Sequence, residues 1–287
     1  MATNQMRREA AKRKLASQQK RRAEQARRRK QVATITTAVV VVVVVVGVVL
    51  LTTIGSGGGS DTPSSTDPSS SAAAAGVTPD AIPTATVPLP TRPDPFPATV
   101  SCDYKASGTP SKPVNPPPGA DVSARGTVPV TLQTSAGAIP TTLSRDLAPC
   151  AVNSFVSLAQ QGYFDGSSCH RLTTSAGLQV LQCGDPTGSG SGGPGYQFAD
   201  EVFPQLTYGR GLLAMANGGP DTNGSQFFMI YGDAQLPPSY TVFGEIAPAG
   251  LQVIDTVAKA GSDGSMEPSP GGGKPITPVT IEKAAVS

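Results

Sequence analysis

The 287-residue chain has no tryptophan, only 8 phenylalanines and 6 tyrosines, and one histidine, His170. A lone histidine excludes a multi-histidine metal centre. No Cys-x-x-Cys pair replaces it, so no structural zinc site is expected. Any serine or cysteine triad would have to use His170. Ser225 lies in Asn-Gly-Ser-Gln-Phe instead of a Gly-x-Ser-x-Gly elbow, and no strand-to-helix turn follows it, which disfavours a hydrolase. Charge is scarce and uneven. Residues 1–30 hold 12 Lys and Arg against two Glu, whereas the other 257 residues hold 10 basic and 18 acidic groups. A basic end on a mildly acidic body is the pattern of an interaction tail, not of a basic domain.

Glycine (32) and proline (28) are abundant, and their placement divides the chain. Residues 1–31 form the basic tail. Val32 to Ile54 is 23 residues without a charge and includes eight consecutive valines, Val39 to Val46. About 20 apolar residues span a bilayer, and in lipid the backbone must bond to itself, which imposes a helix. A cleaved signal peptide is the competing reading, but its apolar core usually runs only ~7–15 residues. The expectation is a single-pass anchor in the cell membrane. The positive-inside rule then puts the N-terminus in the cytoplasm and the rest of the chain outside it. The cluster Arg27 to Lys30 orients the span and attracts anionic lipid, so no nucleic-acid partner is expected. Residues 55–121, rich in Gly, Ser, Thr and Pro, are expected to be a linker that cannot bury enough apolar surface to fold. A compact domain is expected over residues 122–287.

In that domain Val128 to Leu132 alternates, and Ala138 to Ser144 pairs with it across a Ser-Ala-Gly turn. Pro149 opens a helix with Val152, Phe155, Val156 and Ala159 on one face, and Gly162 ends it. Short strands are expected near Cys169 to Leu172 and Gln179 to Gln182. A second helix is expected from about Leu251 to Ala258, with Leu251, Ile254 and Val257 or Ala258 as its inner face, and a last strand near Val279 to Glu282. Many strands with two separate helices predict an antiparallel sheet or barrel with helical caps. The centre is Leu212 to Ile230, LLAMANGGPDTNGSQFFMI, two apolar strands around a Gly/Asn/Asp turn region. Alternation puts Gln226, Phe228 and Ile230 on one face, an amide beside an aromatic ring. Gly188, Gly190 and Gly193 fit Gly-x-Gly-x-x-Gly, but no strand–helix unit surrounds them. Asn223-Gly224-Ser225 fits a glycosylation sequon, a match that three residues often make by chance. Arg171 sits mid-domain in a short strand, where an arginine needs a partner. The four cysteines, Cys102, Cys150, Cys169 and Cys183, allow three connectivities in an exported chain. Cys169–Cys183, joining adjacent strands, with Cys102–Cys150, pinning the end of the linker, is the favoured one.

The runs His170-Arg171-Leu172, LQCGD (Leu181 to Asp185), MANGGPDTNGSQFF (Met215 to Phe228) and YTVFGEI (Tyr240 to Ile246) resemble cyclophilin-type peptidyl-prolyl cis–trans isomerases over about Val128 to Ile281. The layout is similar to that of membrane-anchored, exported members from mycobacteria and related actinobacteria. The resemblance implies a mostly β fold, an eight-stranded antiparallel closed barrel capped by two helices, with a groove for proline-containing peptides and unfolded exported proteins. It implies Arg171 as the catalytic residue. It implies Gln182, Ala216, Asn217, Gln226, Phe228, Leu236 and Tyr240 as substrate-binding residues, with Leu178 or Val180 on the pocket floor. It implies no cofactor and no metal, and a monomer is expected. The sequence departs from the family in three places. The loop between Arg171 and Gln182 is longer than the common form, Gln235 stands where cyclosporin-binding relatives carry Trp, and Cys169 and Cys183 replace family residues. The alternative is a tethered peptide-binding or chaperone module that uses the same groove without turnover.

Overall fold

A computed structural model describes residues 76–287. The basic tail, the apolar stretch Val32 to Ile54 and linker residues 55–75 lie outside the described residues. Among the described residues no helix is long and apolar enough to cross a membrane.

In chain order the strands are β1 (Thr99–Val100), β2 (Lys105–Ala106), β3 (Val122–Ser123), β4 (Thr127–Thr134) and β5 (Gly137–Ser144), followed by helix α1 (Pro149–Gln160). Then come β6 (Ser167–Ser168), β7 (Arg171–Leu172), β8 (Leu178–Cys183), β9 (Tyr196–Gln197), β10 (Leu212–Met215), β11 (Phe227–Ala234) and β12 (Val242–Ile246). Helix α2 (Pro248–Ala260) and strand β13 (Thr280–Val286) complete the chain. The β4–β5 hairpin has the expected turn, with Thr127 opposite Ser144 and Thr134 opposite Gly137. Helix α1 begins at the predicted proline and stops before Gly162, whose φ of +65° suits glycine. Helix α2 begins three residues earlier than expected, because Pro248 is also a favoured first-turn residue. Its buried face carries Leu251, Ile254, Val257 and Ala258 as predicted.

The main sheet runs β6-β13-β4-β5-β12-β10-β11-β8-β7, and its pairs are antiparallel. The fold is mostly β with two helices, as expected, and the sheet is curled. Its edge strands, β6 and β7, do not pair with each other in this ladder; they follow one another along the chain with only Cys169 and His170 between them. The two edges are thus one covalent run, Ser167 to Leu172, which pairs with β13 at its start and with β8 at its end.

Alternation along β10 and β11 divides the apolar side chains between two clusters. Leu213, Met215, Phe227, Met229 and Tyr231 pack with both helices. Leu212, Ala214, Phe228 and Ile230 form a smaller cluster on the opposite face. The predicted face assignment of Phe228 and Ile230 against Phe227, Met229 and Tyr231 is the one observed.

Residues 76–121 are fastened to the domain at several points besides the expected one at Cys102. Val77 exchanges backbone hydrogen bonds with Ser262, β1 pairs β3, and β2 pairs β9. The Arg92 guanidinium lies 4.2 Å from the Phe96 ring centre and 5.2 Å from that of Phe203, and donates to the carbonyls of Leu147 and Glu201. The Tyr104 ring stands edge-on to Tyr196 and Phe198 at 5.5 and 5.6 Å. Proline-rich composition predicts little burial, but a few large side chains and a disulfide fasten such a segment to a surface already folded.

Glu201 performs the task of a missing cap. Ala148 precedes α1 without a side-chain cap, and the Glu201 carboxylate instead accepts from the Cys150 and Ala151 N–H groups at 3.0 and 2.9 Å. Burial pushes its carboxyl up to about 7, against the pull of those N–H groups and of Arg92. The folded value lies above that of the unfolded chain, about 4.3. Stability from this group is thus full below the unfolded value and is lost as pH rises through the folded one. The urea-midpoint difference between wild type and Glu201→Gln should change with pH across that window. A constant difference would contradict the assignment.

Candidate active site

The site grows from a row of residues aligned across three strands. Arg171 on β7 lies opposite Gln182 on β8, and Gln182 lies opposite Phe228 on β11. Cross-strand partners point to the same face, so guanidinium, amide and phenyl ring stand on one surface. With strands about 4.8 Å apart, Arg171 and Phe228 are two strand spacings from each other.

Hydrogen bonds fix the polar half of the row. Arg171 Nη1 donates to Gln182 Oε1 at 3.1 Å. Its Nε donates to the Gly271 carbonyl at 2.8 Å and its Nη2 to the Pro270 carbonyl at 2.6 Å. Gln182 Nε2 donates to Gln226 Oε1 at 3.0 Å, and Gln226 Nε2 donates to the carbonyls of Gly190 and Gly192, each at 3.0 Å. The relay sets the orientation of both amides. Arg171 is half-buried, and burial lowers its pKa, with Glu267 and then Tyr240 acting in the opposite sense. A guanidinium stays charged through such a shift.

The apolar half lies beside it. Phe228 and Val180 are buried in the smaller cluster, with Leu178, Ala216, Leu236 and Tyr240 partly buried against it. Leu178 and Val180 are two residues apart on β8 and share the face of Gln182, so both belong to this side. The Tyr240 ring stands edge-on to Phe228 at 5.6 Å. Tyr208, which the sequence reading passed over, holds it there: its hydroxyl donates to the Tyr240 carbonyl and accepts from the Tyr240 N–H. Burial pushes the Tyr208 phenol up to about 12. The only sequence signal for Tyr208 was a lone aromatic in a loop.

The remaining predicted residues line a neighbouring cavity of about 470 Å³, which Gln182, Ala216, Asn217 and Gln226 share with the glycine-rich loop and Ser107 to Thr109. Asn217 Nδ2 donates to Asp200 Oδ1 and to the Ser239 carbonyl. Asp200 was also missed. Its carboxylate further accepts from Asn223 Nδ2 and the Asp221 N–H, bracing the whole turn. Asn223 is fully buried, its amide committed to Ala199 and Asp200, so the sequon is not an accessible acceptor.

The glycine-rich loop is organised around Asp185, whose carboxylate accepts from the N–H groups of Thr187, Gly190 and Gly192. Burial works against its ionisation, yet bonds from Thr187, Gly192 and Gly190 hold its carboxyl below the usual range. A loop already filled by its own carboxylate does not cradle a phosphate. Ser225 Oγ bonds Gly184 and Tyr163 rather than His170, so no triad forms there. Among the described residues no cluster of three or more His, Cys, Asp or Glu could hold a metal ion.

Both favoured disulfides are present, Cys102–Cys150 and Cys169–Cys183. The second joins the segment just before Arg171 to the residue just after Gln182, bracing the pair. Cys169 and Cys183 are 3% and 0% exposed, whereas Cys150 is only half-buried. Under mild reductant without denaturant, Cys102–Cys150 should open first. Differential alkylation with peptide mapping checks this; earlier labelling of Cys169 and Cys183 would contradict it.

A family model described as "Cyclophilin type peptidyl-prolyl cis-trans isomerase/CLD" matches residues 129–286. A Mycobacterium tuberculosis protein named "Probable peptidyl-prolyl cis-trans isomerase B" is 56% identical over 166 residues, covering 54% of this chain and 53% of its own. The Mycobacterium leprae protein of the same name is 48% identical over 197 residues, covering 64% of this chain and 65% of its own. The chain thus spans between about half and two thirds of the length of these relatives. A solved Cryptosporidium parvum cyclophilin type peptidyl-prolyl cis-trans isomerase is 33% identical, with a TM-score of 0.49 over 56% of this chain and 98% of that one.

Proposed function

The chain belongs to the cyclophilin-type peptidyl-prolyl cis–trans isomerase family, and from that premise we propose that it accelerates rotation about X-Pro bonds of exported proteins. The observation that supports this best is the row Arg171, Gln182, Phe228 on one face, a fixed cation beside a greasy wall. Amide resonance sets a rotation barrier of about 18–20 kcal/mol. In the twisted state the prolyl nitrogen loses that resonance and regains a lone pair. Three nitrogens of Arg171 each donate one N–H to the protein. Two of the five N–H groups of a guanidinium are then left for a substrate. A donor aimed in advance at the developing lone pair lowers the barrier without reorganising. Phe228, Leu178, Val180, Leu236 and Tyr240 hold the proline ring, while Gln182, Ala216, Asn217 and Gln226 face the chain that precedes it. The reaction needs no cofactor, no metal and no covalent intermediate.

The same reading gives Val32 to Ile54 the role of a single-pass membrane anchor, with the basic tail cytoplasmic and the isomerase domain extracytoplasmic, acting as a monomer. The uncharged span, the charge excess before it and the two disulfides support this location. The protein should remain with the membrane after alkaline carbonate extraction; recovery in the soluble fraction would reject the anchor. For the activity, the test is the refolding of a protein limited by proline isomerisation. Its slow phase should accelerate with added protein, and an unchanged slow phase would reject turnover.

A further inference from the structure

The guanidinium of Arg171 is held largely by a loop remote in sequence. Nε and Nη2 donate to Gly271 and Pro270, some 100 residues away. That loop is closed by its own bonds. Met266 donates its N–H to the Gly272 carbonyl, Gly271 donates to the Met266 carbonyl, and Gly272 N–H donates to Glu267 Oε1. It is seated against the edge strand, where Leu172 and Gly273 exchange backbone bonds at 2.7 and 3.0 Å. Gly272 has φ +78°, and a Cβ there would come within 2.2 Å of the Leu172 carbonyl oxygen. Only glycine brings the loop this close. Glu267 is exposed and touches neither the groove wall nor the relay of amides, yet its carboxylate fastens the turn whose next carbonyls grip Arg171.

We propose that Glu267 is a positioning residue for the isomerase reaction: it closes the Met266 to Gly273 loop so that the carbonyls of Pro270 and Gly271 fix the Arg171 guanidinium in the plane the twisted amide needs. This rests on the activity argued above. The clamp leaves the charge in place whether or not it is closed. Closing the loop governs direction, whereas the charge of Glu267 acts on the guanidinium separately and is the part that Glu267→Gln removes; loss of the clamp therefore acts on the transition state and spares ground-state binding of the peptide.

The experiment compares Glu267→Ala, Glu267→Gln and Gly272→Ala in the full chain. Glu267→Ala should lower kcat roughly tenfold to a hundredfold, the order that misplacing a catalytic group by about 1 Å costs, with KM unchanged. Glu267→Gln should retain most of the rate, because its amide oxygen still accepts the Gly272 N–H. Gly272→Ala should behave like Glu267→Ala. In an Arg171→Ala background, Glu267→Ala should have no further effect on kcat. A Glu267→Ala rate equal to wild type overturns the proposal. So does a faster one, which would make the loop a competitor for Arg171, and so does a Gln variant as slow as Ala. A second readout stands apart from turnover: the Arg171 Hε NMR signal should exchange slowly with water in wild type and fast in Glu267→Ala. If wild type proves inactive, the activity reading fails, and this signal alone decides on the clamp; equal exchange in the two proteins overturns it.

Discussion

Replacing Arg171 with alanine should slow cis–trans exchange roughly 10²–10³-fold, the loss seen when one preorganised donor is removed from other enzymes, while peptide affinity changes little. The split follows from when the interaction is made. The ground-state prolyl nitrogen has its lone pair in resonance with the carbonyl and gives a donor nothing to bind; the twisted state exposes it. An interaction confined to the transition state lowers kcat and leaves KM alone. Arg171→Lys should restore only part of the rate. It keeps the charge but loses the planar fork that reaches Gln182, Pro270 and Gly271 together. Phe228→Ala should differ in kind and weaken binding and turnover together, since the ring is buried in the apolar half of the groove and would meet proline in both states. Exchange kinetics and peptide titrations on the three variants check the pattern. An Arg171→Ala protein as fast as wild type would leave the family assignment standing and remove the mechanism.

Removing the Cys102–Cys150 bridge should destabilise the domain by about 4 kcal/mol, the chain-entropy value for a loop of this size. The cysteines are 48 residues apart, and the enclosed segment includes β2, β3 and the β4–β5 hairpin. The bridge also fixes the extended segment whose Tyr104 packs on Tyr196 and Phe198 and whose hydroxyl donates to the Cys150 carbonyl. The double variant Cys102→Ala/Cys150→Ala should therefore lower the denaturant midpoint strongly, yet leave the Arg171–Gln182–Phe228 row intact at low denaturant. A midpoint equal to that of wild type would show that residues 76–121 are not held in the way described.

Those residues also mark where sequence reasoning stops. Strands and helices with regular periodicity were legible: the β4–β5 hairpin, Pro149 at the head of α1, the inner face of α2, and the alternation that sends Phe228 one way and Phe227 the other. Those signals are local, set by side-chain spacing and by the restricted backbone of proline and glycine. The candidate site was legible because its residues lie in short runs whose order resembles a family. What was not legible depends on long-range pairing. Arg92 reads as an isolated charge among prolines until Phe96, Phe203, Leu147 and Glu201 surround it. The covalent joining of the two sheet edges through Cys169 and His170 has no signature in periodicity. Nor does the grip of Pro270 and Gly271 on Arg171, because backbone carbonyls carry no residue code.

The most direct measurement of the central claim is two-dimensional NMR exchange on a short X-Pro peptide with the intact protein present. Without a catalyst the two isomers interconvert over tens to hundreds of seconds. With substoichiometric wild-type protein, cross-peaks between the cis and trans signals should grow within about a second, and they should fade in Arg171→Ala. A peptide whose signals shift on binding while its isomers exchange no faster than in buffer would contradict the account and make the groove a binding module without turnover.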